Sequence, residues 1–247
     1  MKREYWFIII AYIAMQFSGY IGAPLFRFIE LKKGLSLEQA SINAMAYWSI
    51  FSFIVTLLIV IFFLRRELSP SAPTLRGETR TSVGTSIIWA IAGVFMAFCA
   101  QYVGILLETA IGVKQGSENT QVIVNIIAQV PLFALITSIV GPILEEIVFR
   151  KVIFGTFYKK YSFFVSALIS SVIFGLAHFE PEHILLYSAM GFTFAFLYVK
   201  TQRILVPIFA HVAMNTTVVV AQLLLKDDIE KIMNEMEQVQ SFIGGLL

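Results

Sequence analysis

Glu145 and Glu146 stand side by side, with Arg150 four residues after the second, inside an apolar run that extends from residue 121 to residue 157. A carboxylate in hydrocarbon costs roughly 2.5–3.5 kcal/mol on insertion scales and more in simulations. The run itself would be roughly 55 Å long as one helix, nearly twice the hydrocarbon thickness of a bilayer. It must therefore be broken, and Pro131 is the natural break. That divides it into a short interfacial helix over 121–130 and a span over 132–157 that carries both carboxylates.

The rest of the chain fits a membrane protein. Of 247 residues, 58% are hydrophobic and only 14% charged, where a soluble domain carries about 25% charge. Further apolar runs cover residues 5–25, 41–64, 84–108, 163–178, 184–199 and 204–225. The expected architecture is all-α: a polytopic transmembrane helix bundle of about seven to eight spans, forming a single membrane domain over 1–247. Within it, 130–225 would be a catalytic core and 226–247 an amphipathic or surface tail. Polar loops are expected over 27–39 and 65–83, the second a basic anchor to anionic lipid. Lys and Arg are more frequent in the N-terminal segment and in the connections near 65–80, 159–160 and 200–203 than in the alternate connections. The positive-inside rule then places the N-terminus in the cytoplasm, with the protein multi-pass in a bacterial-type plasma membrane. A net charge of +2 gives no reason to expect a nucleic-acid partner. The single cysteine, Cys99, reads as a small buried hydrophobe.

Few ionisable residues lie well inside these spans: Glu145, Glu146, Arg150, Lys151, His178 and His211. Asn215 follows His211 by four residues and shares its helix face. Glu145 and His178 are about equally far from the turn centred near residue 161. In an antiparallel hairpin they come level, roughly 20–25 Å along the helices. Ala167, Ser171 and Gly175 form a small-residue stripe that would let a neighbouring helix approach closely. Glu146 and Arg150 can pair at i,i+4, leaving Glu145 to face a site. Two chemistries fit such a set. A carboxylate and a histidine can orient and deprotonate water while a further histidine and Asn215 donate to an oxyanion. Alternatively, Glu145, His178 and His211 could hold zinc and activate water on the metal. The sequence has no HExxH, so the usual two-histidine zinc helix is absent. His183, beside Glu180, Pro181 and Glu182, reads as a solvated loop residue, and Phe174 as packing.

Glu145-Glu146-x-x-x-Arg150, Phe174-x-x-x-His178 and His211-x-x-x-Asn215 resemble the three ordered motifs of the CAAX-protease and bacteriocin-processing family of intramembrane endopeptidases. The resemblance covers about residues 130–220 and implies an active site buried between spans 4, 5 and 7. It implies that Glu145 activates water with help from His178, that His211 and Asn215 stabilise the oxyanion, and that Glu146, Arg150 and Phe174 support them. The substrate class it implies is a membrane-associated or lipidated protein or a peptide; cleavage is expected near the cytoplasmic side. Whether the family's chemistry uses a metal is left open by the residues.

Two other functions use the same polar cluster: an ion- or proton-coupled transporter, and a non-catalytic membrane scaffold. A proton relay spreads ionisable groups along a path through the bilayer, whereas here they gather at one level. A scaffold has no need to retain Glu145, His178 and His211 together.

Overall fold

The computed structural model describes residues 1–65, 67, 73–114 and 116–225. The expected surface tail over 226–247, and part of the expected basic loop, lie outside the described residues. Among the described residues eight longer helices follow in order, besides short 3-10 turns at Leu75–Gly77 and Pro181–His183: α1 (Arg3–Lys32), α2 (Leu37–Leu64), α3 (Val83–Ala110), α4 (Glu118–Gln129), α5 (residues 133–157), α6 (Phe163–Leu176), α7 (Ile184–Thr201) and α8 (Leu205–Leu224). Five helices are long and apolar enough to cross a membrane: α1, α2, α3, α8, and α7 with its preceding turn. The 14-residue α6 is apolar but shorter. Outward-facing Phe17, Tyr20, Ile59, Phe95 and Leu205 leave apolar side chains exposed on the flanks, as expected where hydrocarbon replaces water. This is an integral membrane protein.

The helix boundaries follow from local chemistry. Ser36, Ser82, Ser117 and Ser162 each cap a helix by accepting a backbone N–H three residues on, which satisfies one of the orphan donors at a helix start. Gly34 supplies the left-handed residue, at φ 86°, that turns α1 into α2. The polar loop expected over 27–39 is corrected here. Helix α1 runs through to Lys32 and α2 begins at Leu37, because Glu30 is held by Lys33 and Asn43 rather than needing water. As expected, Pro131 separates the short α4 from α5.

Helix α5 is not a uniform α-helix. Its α-turns at Gly141–Glu145 and Gly155–Phe157 alternate with π-helical stretches at Ile136–Val140 and Glu146–Phe154. Such i→i+5 turns are rare and concentrate at functional sites. The change from α to π falls between Glu145 and Glu146.

Close approach of helices depends on small residues. A Cβ on Gly104 of α3 would lie 2.5 Å from the Cα of Leu186, so only glycine permits this crossing of α3 and α7. A Cβ on Gly22 would lie inside the ring of Trp48, whose indole N–H donates to Ser18. The stripe of Ala167, Ser171 and Gly175 is covered as expected, and its partner is α7: Ser188 donates to the Ser171 carbonyl, and Ile184 and Ser188 sit over Gly175. Cys99 is a correction: it is exposed on α3 rather than buried.

Hydrogen bonds sort the connections between two ends of the bundle. Lys2, Tyr5 and Lys151 gather around Glu67. Arg76 donates to the carbonyls of Tyr158 and Tyr161, and Thr81 N–H to the carbonyl of Thr201. The N-terminus, the α2–α3 connection and the α5–α6 and α7–α8 turns therefore share one end. The connections 33–36, 111–117 and 177–183 lie at the other.

Candidate active site

A cleft of about 1240 Å³ opens between α3, α4, α5, α7 and α8. Glu145, His178, His211 and Asn215 all line it. The cleft also reaches Glu108, Lys114, Ser117 and Glu182, so it extends from mid-bundle to the end opposite the N-terminus. The site expected between the fourth, fifth and seventh spans is assembled by α5, the turn that follows α6, and α8.

Glu145 and Glu146 have different surroundings although they are adjacent. Glu145, the last residue of an α-turn, keeps 19% of its side chain accessible from the cleft. Glu146, the first residue of the π stretch, is fully buried. One of its oxygens, Oε1, lies 2.9 Å from Nδ1 of His211, and the other, Oε2, lies 3.3 Å from Nε of Arg150. A carboxylate can only accept, so Nδ1 of His211 donates. The opposite ring nitrogen, Nε2, is 3.7 Å from Oε2 of Glu145, too long for a direct hydrogen bond and a spacing that a bridging water fits.

His178 is fixed in another way. Its Nδ1 is 2.8 Å from the carbonyl oxygen of Phe174. That oxygen accepts only, so Nδ1 carries the proton and Nε2 keeps its lone pair for the cleft. The amide nitrogen of Asn215 reaches the Thr137 carbonyl at 3.4 Å, a weak bond that leaves a second N–H.

Arg150 pairs with Glu146 as the i,i+4 spacing implied, but the pair is not the whole of its environment. Its side chain is fully buried, and its three nitrogens make no hydrogen bond among the described residues. The guanidinium instead lies 4.2 Å from the ring centroid of Phe174 and 5.4 Å from that of Phe194, replacing water with aromatic faces. Phe174 is packing, as expected, yet it touches the whole site. Its carbonyl holds His178, its ring lies under Arg150, and its edge contacts both histidine rings.

Helix α7 contributes three site residues that the sequence reading passed over. Tyr187 stacks on His178 with centroids 3.8 Å apart. Phe194 stacks on His211 at 4.6 Å. Gly191 makes room for both Ser171 and Arg150: a Cβ there would lie 2.9 Å from Ser171 Oγ and 3.1 Å from Arg150 Nη2. Tyr187, Gly191 and Phe194 recur at i, i+4 and i+7, one helix face. That spacing was available in the sequence, but a search for ionisable groups in apolar spans does not find it.

The mouth of the cleft corrects the reading of His183. It is buried, with Nδ1 2.9 Å from Glu108 Oε2 and Nε2 3.2 Å from the Gly116 carbonyl. The other oxygen of Glu108 accepts the backbone N–H of Leu186, so a carboxylate from α3 caps the start of α7. Glu180 is buried beside it. It accepts from the hydroxyls of Ser117 and Tyr187 and from the backbone N–H of Asn119. Burial pushes its carboxyl upward, but these donors, with His183 nearby, outweigh burial and hold it below the ordinary carboxylate range.

Zinc held by Glu145, His178 and His211 asks for three ligand atoms converging on one point. Among the described residues no three His, Cys, Asp or Glu side chains converge in that way. The described side chains, as placed, do not form a zinc site.

A family model described as type II CAAX prenyl endopeptidase Rce1-like matches residues 127–217. The chain is 48% identical over 251 residues to YdiL of Bacillus subtilis, by name a candidate membrane peptidase, with 100% of this chain and 99% of YdiL covered. It is 33% identical over 230 residues to the membrane-embedded CAAX protease MroQ of Staphylococcus aureus, covering 90% of each. No solved structure matches it significantly.

Proposed function

Because this chain belongs to the CAAX prenyl endopeptidase (Rce1-like) family of membrane proteases, we propose that it hydrolyses a peptide bond of a membrane-associated protein or peptide, with Glu145 as general base. The observation that carries the reading is the convergence of Glu145 from α5, His178 from the turn after α6, and His211 and Asn215 from α8 on one cleft. Water held between the Glu145 carboxylate and Nε2 of His178 gives a proton to Glu145 as its oxygen attacks the scissile carbonyl carbon. The developing oxyanion accepts from the second N–H of Asn215, with the His211 ring, whose Nδ1–H is directed at Glu146, as its other partner. Glu145 then returns the proton to the departing amine nitrogen as the C–N bond breaks. Glu146 acts by orienting His211, and Arg150 by holding Glu146.

The bacterial relatives and the Lys/Arg pattern support a plasma-membrane location with the N-terminus in the cytoplasm. That orientation turns the mouth of the cleft, at the opposite end of the bundle, toward the outer face. A cytoplasmic N-terminus and cleavage near the cytoplasmic side, both suggested by the sequence, are therefore difficult to reconcile in this fold. We favour the orientation, since it rests on charge, and place the scissile bond toward the outer half.

Glu145→Gln and His178→Ala should each abolish cleavage while the protein stays folded in detergent. Membrane proteomes with and without an intact Glu145 would reveal the substrate as an accumulated precursor. Full activity in the Glu145→Gln variant would overturn the reading.

A further inference from the structure

Three groups fix the ring of His178, two from Phe174 four residues earlier and the third from α7. The Phe174 carbonyl anchors Nδ1 at 2.8 Å. The edge of the Phe174 ring stands against one side, with centroids 4.6 Å apart and the planes 75° apart. The ring of Tyr187 lies nearly parallel at 3.8 Å, 20° from coplanar. A hydrogen bond to Nδ1 alone leaves the imidazole free to rock about the N–H···O axis. A parallel ring at van der Waals distance removes that freedom and fixes the direction of Nε2.

Tyr187 is itself held. Its hydroxyl donates to Oε2 of Glu180 at 2.6 Å, a short charge-assisted bond. The same carboxylate accepts from Ser117, which caps α4, and from the Asn119 backbone N–H. That bond fixes the far end of the Tyr187 ring, so the face it presents to His178 cannot swing. The arrangement instead runs from the start of α4, through Glu180 and Tyr187, to the face of His178, and all of these line the same cleft.

We propose that Tyr187 is a positioning residue for His178, and that Glu180 holds Tyr187 in place to aim the Nε2 lone pair at the reacting water. This rests on the assignment of His178 to the hydrolytic water. It adds that the α6–α7 connection and the beginning of α4 belong to the catalytic apparatus through one stacked ring.

With only three histidines in the chain, the imidazole Hε1–Cε1 NMR signals of the full-length protein in detergent can be resolved and assigned by substitution. His178→Ala identifies the His178 signal. In the wild type that signal should carry a ring-current shift from Tyr187 and titrate as a single sharp species. Tyr187→Leu should remove the shift and broaden the signal. Tyr187→Phe should retain the shift but broaden the signal, because the stack survives without its anchor, and Glu180→Gln should behave like Tyr187→Phe. On internally quenched apolar peptides that the wild type cleaves, Tyr187→Leu should lower kcat by about tenfold to a hundredfold, as expected for a misplaced catalytic group, with KM little changed. Tyr187→Phe should fall between. If Tyr187→Leu does not fold, Tyr187→Phe and Glu180→Gln decide the matter by the same signals. A His178 signal that is unchanged in position and width in the folded variants overturns the proposal. So does an inactive His178→Ala beside a Tyr187→Leu of wild-type kcat, which leaves the hydrolytic assignment standing. A fully active His178→Ala would instead remove that assignment itself.

Discussion

Nδ1 of His211 donates to Oε1 of Glu146 across 2.9 Å, from α8 to the first residue of the π stretch in α5. This bond gives the second glutamate a role beyond neutralising Arg150. One carboxylate spans two partners, a histidine that faces the cleft and an arginine that does not. The adjacent carboxylates thus divide by exposure: Glu145 reaches the cleft, and Glu146 is sealed beneath it.

Substituting Glu146 should therefore damage both stability and turnover. Glu146→Ala leaves the guanidinium of Arg150 buried without its counter-ion, and breaking a buried pair costs about 3–5 kcal/mol. Glu146→Gln keeps an acceptor for His211 but loses the charge, so it should melt closer to the wild type while its kcat still falls. Thermal melts in detergent beside peptide turnover separate the two effects. A Glu146→Ala protein with wild-type melting and turnover contradicts the bond's importance.

Gly191 should tolerate no side chain. An added Cβ would press on Ser171 Oγ at 2.9 Å and Arg150 Nη2 at 3.1 Å, neither of which has a free direction in which to retreat. Overpacking of this kind costs about 1–3 kcal/mol. Gly191→Ala should lower the melting temperature, and Ser171→Gly in the same chain should recover part of the loss. Strict additivity of the two substitutions would show that they do not meet.

Much of this site is legible in the sequence, because carboxylates and histidines in hydrocarbon are costly enough to stand out. Glu145, His178, His211 and Asn215 reach one cleft, and the Pro131 break and the small stripe on α6 lie where the spacing put them. Other features escape for definable reasons. Apolar periodicity cannot reveal that α5 changes from α to π at Glu146, since both are continuous helices of similar composition. Tyr187, Gly191 and Phe194 are ordinary membrane residues until the rings and the guanidinium they meet are known. His183 reads as solvated among Glu180, Pro181 and Glu182, because its partner Glu108 is far away in sequence. Glu108 itself stood at the end of an expected span, where a charged residue calls for no explanation.

Acid should loosen the mouth of the cleft. Glu180 has its carboxyl held below the ordinary range by Tyr187, Asn119 and Ser117 against the opposing effect of burial. A depressed folded-state value stabilises the protein above the unfolded value. That contribution is lost as pH falls through the folded one. As pH falls below about 5 and on through the depressed folded-state value, the wild type should therefore lose stability that Glu180→Gln, already lacking the charge, does not lose. Melting temperatures of the two proteins should converge on acidification. Parallel curves would mean that Glu180 carries no such linkage.

The side of the membrane that the cleft faces can be read with two cysteines. Cys99 is the single native cysteine, so a Cys99→Ser background is free of thiols. Glu182 is exposed at the cleft mouth, and Lys160 is exposed at the end shared with the N-terminus. With the N-terminus in the cytoplasm, a membrane-impermeant maleimide applied to intact cells should label Glu182→Cys and spare Lys160→Cys. Permeabilisation should then label both. The reverse pattern would place the N-terminus outside and bring the cleft to the cytoplasmic face, correcting the charge-based orientation while leaving the cleft as described. Labelling of both positions in intact cells would contradict the assignment of these connections to opposite ends of the bundle, on which the outer-half placement of the scissile bond depends.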